Sequence, residues 1–122
     1  MDNLTIELQK KDHAKSAVTH WWHQRLSSIA MIPLLIWLMF FIQANNNKNF
    51  AEFLKNLVQP FNLITITLFL IIAFYHGMLG MRVIIEDYVP NIGLRNMLIV
   101  SLQSFCILTI LLLFTATVLI II

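Results

Sequence analysis

The chain has 122 residues, of which 59% are hydrophobic and 11% charged, with a mean hydropathy of +0.80 and a net charge of +2. A soluble domain carries about a quarter charged residues, so this composition excludes a soluble globular fold. The cations lie beside apolar segments rather than in one basic patch, which excludes a nucleic-acid-binding protein. We therefore expect an all-α membrane protein in contact with the lipid bilayer.

Three apolar segments define the expected architecture, a single membrane-anchor domain over residues 1–122. Residues 1–24 form a polar segment, and its first 19 residues are predicted to be extended or frayed. Transmembrane helices are predicted at about 25–44, 61–87 and 96–122, since each segment is long enough to cross ~30 Å of hydrocarbon.

Local signals refine the ends of these helices. Pro33 lies inside the first helix, where a kink rather than an end is expected. The apolar spacing over residues 51–58 predicts a short amphipathic helix in the first connection. Pro60 is expected in the first turn of the second helix, and the turn residues of 90–93 should separate it from the third.

The distribution of positive charge predicts the orientation of the chain. Six of the eight Lys and Arg residues lie in the N-terminal segment or beside the second connection. These are Lys10, Lys11, Lys15, Arg25, Arg82 and Arg95. By the positive-inside rule, the N-terminus should face the cytoplasm or matrix, and the C-terminus the opposite side.

His76 is the strongest candidate for chemistry, because it is a lone histidine in an apolar segment and is expected at mid-membrane depth. Such a residue is costly unless its imidazole is used, and haem iron is a common metal in membrane bundles. His76 and Gly80 share one helix face, so a flat porphyrin could lie over the glycine. The alternative is a packing histidine bonded to a neighbouring helix, with Gly80 allowing close helix contact.

One histidine supplies only one strong axial ligand, and no second histidine lies in an apolar segment. A six-coordinate haem would therefore need its other ligand from another polypeptide. On the haem interpretation of His76, this chain is half of a haem site, which points to a hetero-oligomer.

A second candidate site lies at the end of the second helix. Tyr88 could donate a hydrogen bond to a quinone carbonyl, and Asp87 could relay protons, although both are also typical of a solvated helix end. Ser27 and Ser28 could line the same pocket or bond to their own helix backbone. Arg25 could pair with haem propionates or reach lipid phosphates.

Two segments carry a family resemblance. Residues 76–89, HGMLGMRVIIEDYV, resemble the His-x-x-x-Gly-Met…Asp-Tyr-Val signature of the smaller membrane anchor of succinate dehydrogenase, respiratory complex II. Residues 20–28, HWWHQRLSS, are similar to the segment before the first helix in the alphaproteobacterial and mitochondrially encoded forms. The glycine of the larger anchor's His-Arg-x-Ser/Thr-Gly pattern is absent from 20–28, which favours the smaller anchor.

The resemblance implies a membrane anchor subunit of succinate:ubiquinone oxidoreductase, in a bacterial inner (plasma) membrane or, alternatively, a mitochondrial inner membrane. The implied partners are a second anchor of the cytochrome b556 type, an iron–sulfur subunit and a flavoprotein subunit. This chain would help to dock the last two. FAD and the iron–sulfur clusters would belong to those partners only.

The resemblance also implies site residues. His76 matches one axial ligand of a haem b shared with the second anchor, and Arg25 matches a basic residue near the haem propionates. Tyr88 and Asp87 match residues beside ubiquinone, the substrate. Arg82 matches a position that is often aromatic in related anchors, so it takes no role.

Two other hypotheses remain open at the level of sequence. A scaffolding subunit of another membrane complex would use His76 only for packing and would be colourless. A transporter or channel subunit would use His76 to relay protons. A single buried histidine without a chain of acidic partners is a poor proton path, which weighs against the transporter.

Overall fold

The computed structural model describes residues 3–122 and consists of four helices joined by short turns. These are α1 (Asn3–Asn45), α2 (Phe50–Leu57), α3 (Pro60–Tyr88) and α4 (Ile92–Ile121). Three of them, α1, α3 and α4, are long and apolar enough to cross a membrane. The predicted all-α fold with three candidate spans is therefore confirmed, and α2 is the short helix expected in the first connection.

The N-terminal segment differs from the prediction. Residues 1–19 were expected to be extended or frayed, but α1 is helical from Asn3 and runs for 43 residues; residues 1–2 lie outside the described residues. The segment has neither Gly nor Pro before Pro33, and an existing transmembrane helix extends without a new nucleation step. At 1.5 Å per residue, α1 is ~64 Å long, about twice the hydrocarbon thickness.

The helix boundaries follow from local chemistry. α1 continues through Pro33, and α3 begins with Pro60 in its first turn, as expected. The side chain of Asn91 accepts a hydrogen bond from the Leu94 amide at 3.1 Å, which caps α4. This cap starts α4 at Ile92, earlier than the predicted residue 96.

α3 is the central helix of the fold. α1 and α4 both pack against it and have little contact with each other. Within the described range the buried apolar side chains are few: Phe41, Leu79 and Cys106. Most large apolar side chains are exposed, as expected for surfaces that face lipid or partner helices. One interhelical hydrogen bond, 2.7 Å between the hydroxyls of Thr67 and Thr117, joins α3 to α4.

A polar cluster at the far end of α1 sets the register between α1 and α3. Asn45 is only 7% exposed, and its Nδ2 donates to the Phe41 carbonyl at 2.7 Å. Its Oδ1 accepts from Asn56 Nδ2 at 2.8 Å and from Lys48 Nζ at 3.1 Å. Asn62 on α3 donates to the Asn56 carbonyl at 2.8 Å. The hairpin is thereby closed, which brings residues 24–27 of α1 level with residues 76–80 of α3.

Candidate functional site

His76 contacts two polar side chains of α1. Its Nδ1 lies 2.9 Å from the hydroxyl of Ser27, which is 7% exposed. Its Nε2 lies 3.4 Å from the side-chain nitrogen of Gln24. Ser27 and Gln24 are three residues apart, so they share one face of α1. The imidazole is therefore held at both nitrogens by a single neighbouring helix.

The hydrogen-bond network assigns a direction to each of these contacts. Ser27 Oγ also lies 2.9 Å from the Gln24 carbonyl, which can only accept. A hydroxyl has one proton, so a Ser27 hydroxyl that donates to this carbonyl accepts from His76 Nδ1–H. In that arrangement Nε2 carries a lone pair, toward which the Gln24 amide donates at long range.

Gly80 faces the same side of the site as Gln24. A Cβ atom placed on Gly80 would meet only the Gln24 side-chain nitrogen, at 3.6 Å, which is an ordinary van der Waals distance. Close approach of two helix backbones therefore does not require a glycine here. The space beside Gly80 is covered by one flexible side chain, and the Gln24 Oε1 atom is buried without a hydrogen-bond partner.

His76 packs against one short segment of α1. Its ring contacts Gln24 and Ser27, on either side of Arg25. Those residues lie where α1 passes from its polar to its apolar part. The antiparallel helices are offset in register, so the centre of one apolar segment meets the boundary of the other.

Asp87 and Tyr88 form a separate location in the last turn of α3. They lie eleven and twelve residues from His76, about 17–18 Å along the helix axis. Tyr88 is 81% exposed. Arg82 Nε donates to Glu86 Oε1 at 2.8 Å. Within residues 3–122, the neighbouring carboxylate of Asp87 forms no salt bridge. The structure does not bring Ser27 to this location.

The other serine and the arginine of the predicted sites both interact within α1. Ser28 Oγ donates to the Arg25 carbonyl at 2.8 Å. Of the two roles expected for Ser28, the structure thus shows the bond to its own helix backbone. The Arg25 guanidinium lies 4.8 Å from the Trp21 ring centre, a cation–π contact that is favourable at a membrane boundary.

Sequence reasoning missed several residues around His76. Besides Gln24, His23 Nδ1 lies 2.7 Å from the Tyr75 hydroxyl, and His20 Nε2 is buried without a partner. None of these residues was given a role of its own from the sequence. The spacing of His20, Gln24 and Ser27, at i, i+4 and i+7, was the available signal that they form one polar face of α1.

Within the described residues, His76 does not belong to a larger cluster of metal-binding side chains. Residues 3–122 contain no group of three or more His, Cys, Asp or Glu side chains able to hold a metal ion. Any metal bound at His76 would therefore take its remaining ligands from a cofactor or from another chain.

Comparison with known proteins decides the family. The family model described as the succinate dehydrogenase/fumarate reductase transmembrane subunit matches residues 8–120, nearly the whole chain. The chain belongs to this family. The resemblance noted from residues 20–28 and 76–89 is thus confirmed.

Curated relatives agree with this assignment. A succinate dehydrogenase hydrophobic membrane anchor subunit of Rickettsia conorii is 40% identical over 106 residues, covering 86% of this chain and 84% of the relative. One of Rickettsia felis is 45% identical over 91 residues, with coverages of 75% and 76%. A succinate dehydrogenase membrane anchor subunit of Reclinomonas americana is 33% identical over 90 residues, with coverages of 70% and 74%. No solved structure gives a significant match.

Family membership and the three spanning helices make this chain a multi-pass inner-membrane protein. They remove the hypotheses of a transporter subunit and of a scaffold in an unrelated complex. A packing role for His76 within a succinate dehydrogenase anchor is a separate question.

Proposed function

We propose that this chain is the smaller membrane anchor of a succinate:ubiquinone oxidoreductase and that His76 is one axial ligand of a haem b. The observation that carries the proposal is the pair of contacts made by the imidazole. Its Nδ1 lies 2.9 Å from the Ser27 hydroxyl, and its Nε2 lies 3.4 Å from the Gln24 side-chain nitrogen, the one atom that a Cβ on Gly80 would also meet. Iron-ligating histidines are neutral, and the second nitrogen commonly donates to an acceptor.

The residues present fit such a group. His76 would hold the iron through Nε2, and Gly80 would leave room for the flat ring. The Gln24 side chain must move aside, which costs little because its amide makes one 3.4 Å contact to His76 and its Oε1 makes none. Arg25, next to Gln24 in α1, is the cation we assign to the propionates. The bound haem would supply a one-electron redox centre.

The second axial ligand would come from a second anchor of the cytochrome b556 type. α1 and α4 flank α3 without closing a bundle around it, so the helices offer open faces to another membrane chain. The iron–sulfur and flavoprotein subunits would dock on the side of the N-terminus, which the positive-inside rule assigns to the cytoplasm or matrix. α1 continues beyond its apolar part on that side.

Ubiquinone reduction is proposed at the end of α3. The Tyr88 hydroxyl can donate to a quinone carbonyl, and Asp87 can relay protons from water because Arg82 is paired with Glu86 instead. Electrons from succinate would arrive through the partners' iron–sulfur clusters. This chain contributes position and hydrogen bonds, while the redox chemistry belongs to the cofactors.

Replacement of His76 tests the ligand assignment. His76→Asn keeps an N–H donor for Ser27 but has no imidazole Nε2. We expect the assembled variant complex to lose the low-spin, bis-histidine spectrum, whereas His23→Ala should keep it. An assembled His76→Asn complex with unchanged haem content and spectrum would leave His76 as a packing residue only.

Replacement of Tyr88 tests the quinone site. Tyr88→Phe removes one hydroxyl from an exposed side chain, so assembly should be unaffected. We expect ubiquinone reduction to fall at least tenfold, while succinate oxidation by an artificial dye stays unchanged. Equal loss in both assays would point to a docking defect and contradict the quinone role. Tyr75→Phe, which removes the hydroxyl of the other tyrosine of α3, is the matched control and should retain both activities.

A further inference from the structure

We propose that Ser27 is a positioning residue that selects which nitrogen of His76 binds iron, and that the Gln24 side chain, which lies over this nitrogen, is not needed to hold haem. The inference rests on the proposed haem ligation and deepens it. It departs from the expectation that Ser27 lines a quinone pocket, because the hydroxyl contacts His76 and the Gln24 carbonyl.

Two hydrogen-bond networks satisfy the positions of these atoms. In the first, His76 Nδ1–H donates to Ser27, and the Gln24 amide donates to Nε2. In the second, Ser27 donates to Nδ1, the Gln24 amide is turned over, and Nε2–H donates to Gln24 Oε1. Only the first network leaves a lone pair on Nε2, which iron ligation needs.

Burial favours the first network. It leaves one orphaned atom, the carbonyl oxygen Oε1 of Gln24. The second network would bury the Gln24 NH2 group without an acceptor and would end the Ser27 hydrogen bond to the Gln24 carbonyl. Orphaned N–H groups are rarer in proteins than under-satisfied carbonyls. The buried position of Ser27, 7% exposed, also strengthens its hydrogen bonds relative to those at the surface.

Ser28 provides a natural comparison within α1. Ser27 and Ser28 both donate to the carbonyl three residues earlier, at 2.9 and 2.8 Å. Only Ser27 also reaches His76. Removal of the hydroxyl from each serine therefore deletes the same backbone hydrogen bond, and the difference between the two variants isolates the effect on the imidazole.

Loss of the Ser27 acceptor should weaken the haem site without abolishing it. An acceptor on Nδ1–H orients the ring and raises the basicity of the ligating nitrogen, and loss of such a partner commonly lowers metal affinity 10- to 100-fold. A less basic ligand stabilises ferric iron less, so the haem midpoint potential should rise.

The test uses the whole assembled complex with Ser27→Ala, Ser27→Thr and Ser28→Ala. Haem loss to a soluble haem acceptor, the midpoint potential and the ferric low-spin resonance are measured, with succinate–dye activity as the check of assembly. We expect Ser27→Ala to release haem at least tenfold faster, with a raised potential. Ser28→Ala should match wild type, and Ser27→Thr should restore both values.

Equal behaviour of Ser27→Ala and Ser28→Ala would overturn the positioning role, even if His76→Asn loses haem and ligation itself stands. Normal haem in His76→Asn would instead overturn the ligation, and the positioning role with it. Gln24→Ala tests whether the Gln24 side chain is needed to hold haem. This variant should hold haem at least as tightly as wild type. A tenfold loss there would show that Gln24 belongs to the haem site.

Discussion

Substitution of Gly80 separates a haem-facing role from a role in helix packing. In Gly80→Ala, the new Cβ would meet only Gln24 Nε2, at 3.6 Å, so the fold can accept the methyl group. Gly77→Ala is the matched control, since its Cβ would have nothing within 4 Å. Each replacement also removes a glycine from the interior of α3, which favours the helix by about 1 kcal/mol.

The two variants should differ only in haem binding. In Gly80→Ala, the added methyl group lies on the helix face proposed to receive the porphyrin. Overpacking of such a contact costs about 1–3 kcal/mol of binding free energy. This corresponds to roughly 5- to 150-fold weaker haem affinity. Gly77 lies instead beside an apolar groove between α3 and α4, of about 360 Å³, whose lining does not include His76. Its replacement should leave haem affinity unchanged.

The measurements are the haem-to-flavin ratio, the rate of haem loss and the thermal stability of the purified complex. Faster haem loss in Gly80→Ala alone, with both variants at least as stable as wild type, is the expected result. Identical haem retention in the two variants would show that no porphyrin lies against Gly80. A drop in stability confined to Gly80→Ala would show that Gly80 serves close helix contact.

Two further predictions concern the hydrogen bonds that hold the helices in register. Asn45→Ala removes three side-chain hydrogen bonds, with Phe41, Lys48 and Asn56. At about 1 kcal/mol for each bond, the free energy of unfolding in detergent should fall by about 3 kcal/mol. The exposed neighbour Asn46→Ala is the control, and equal stability of the two variants would contradict the estimate. Thr67→Val should cost about 0.6 kcal/mol, the average for such membrane hydrogen bonds. In a double-mutant cycle with Thr117→Val, strictly additive effects would exclude a direct interaction.

Much of the architecture could be predicted because its signals are local. Apolar length located α3 and α4, and Pro60 and the 90–93 turn placed the boundaries of α3. The helical N-terminal part of α1 was missed. Its polar composition resembles that of a frayed terminus, and only its continuity with a spanning helix removes the cost of nucleation.

The candidate site could be predicted only in part. His76 was identifiable because a lone imidazole in an apolar segment requires a use, and the signature at 76–89 marked the family. Ser27 was expected either in the quinone pocket or bonded to its own helix backbone, and Gln24 was given no role. Both contact His76 across about fifty positions of sequence, and a local pattern contains no information about such contacts.

The sequence by itself determined a membrane protein with three candidate spans, its family and one candidate ligand, His76, because hydrophobic length and a continuous motif are properties of short segments. Only the tertiary structure placed Ser27 and Gln24 against the two nitrogens of His76. Those facts depend on the register of α1 against α3, which is set by packing and by the distant Asn45 cluster.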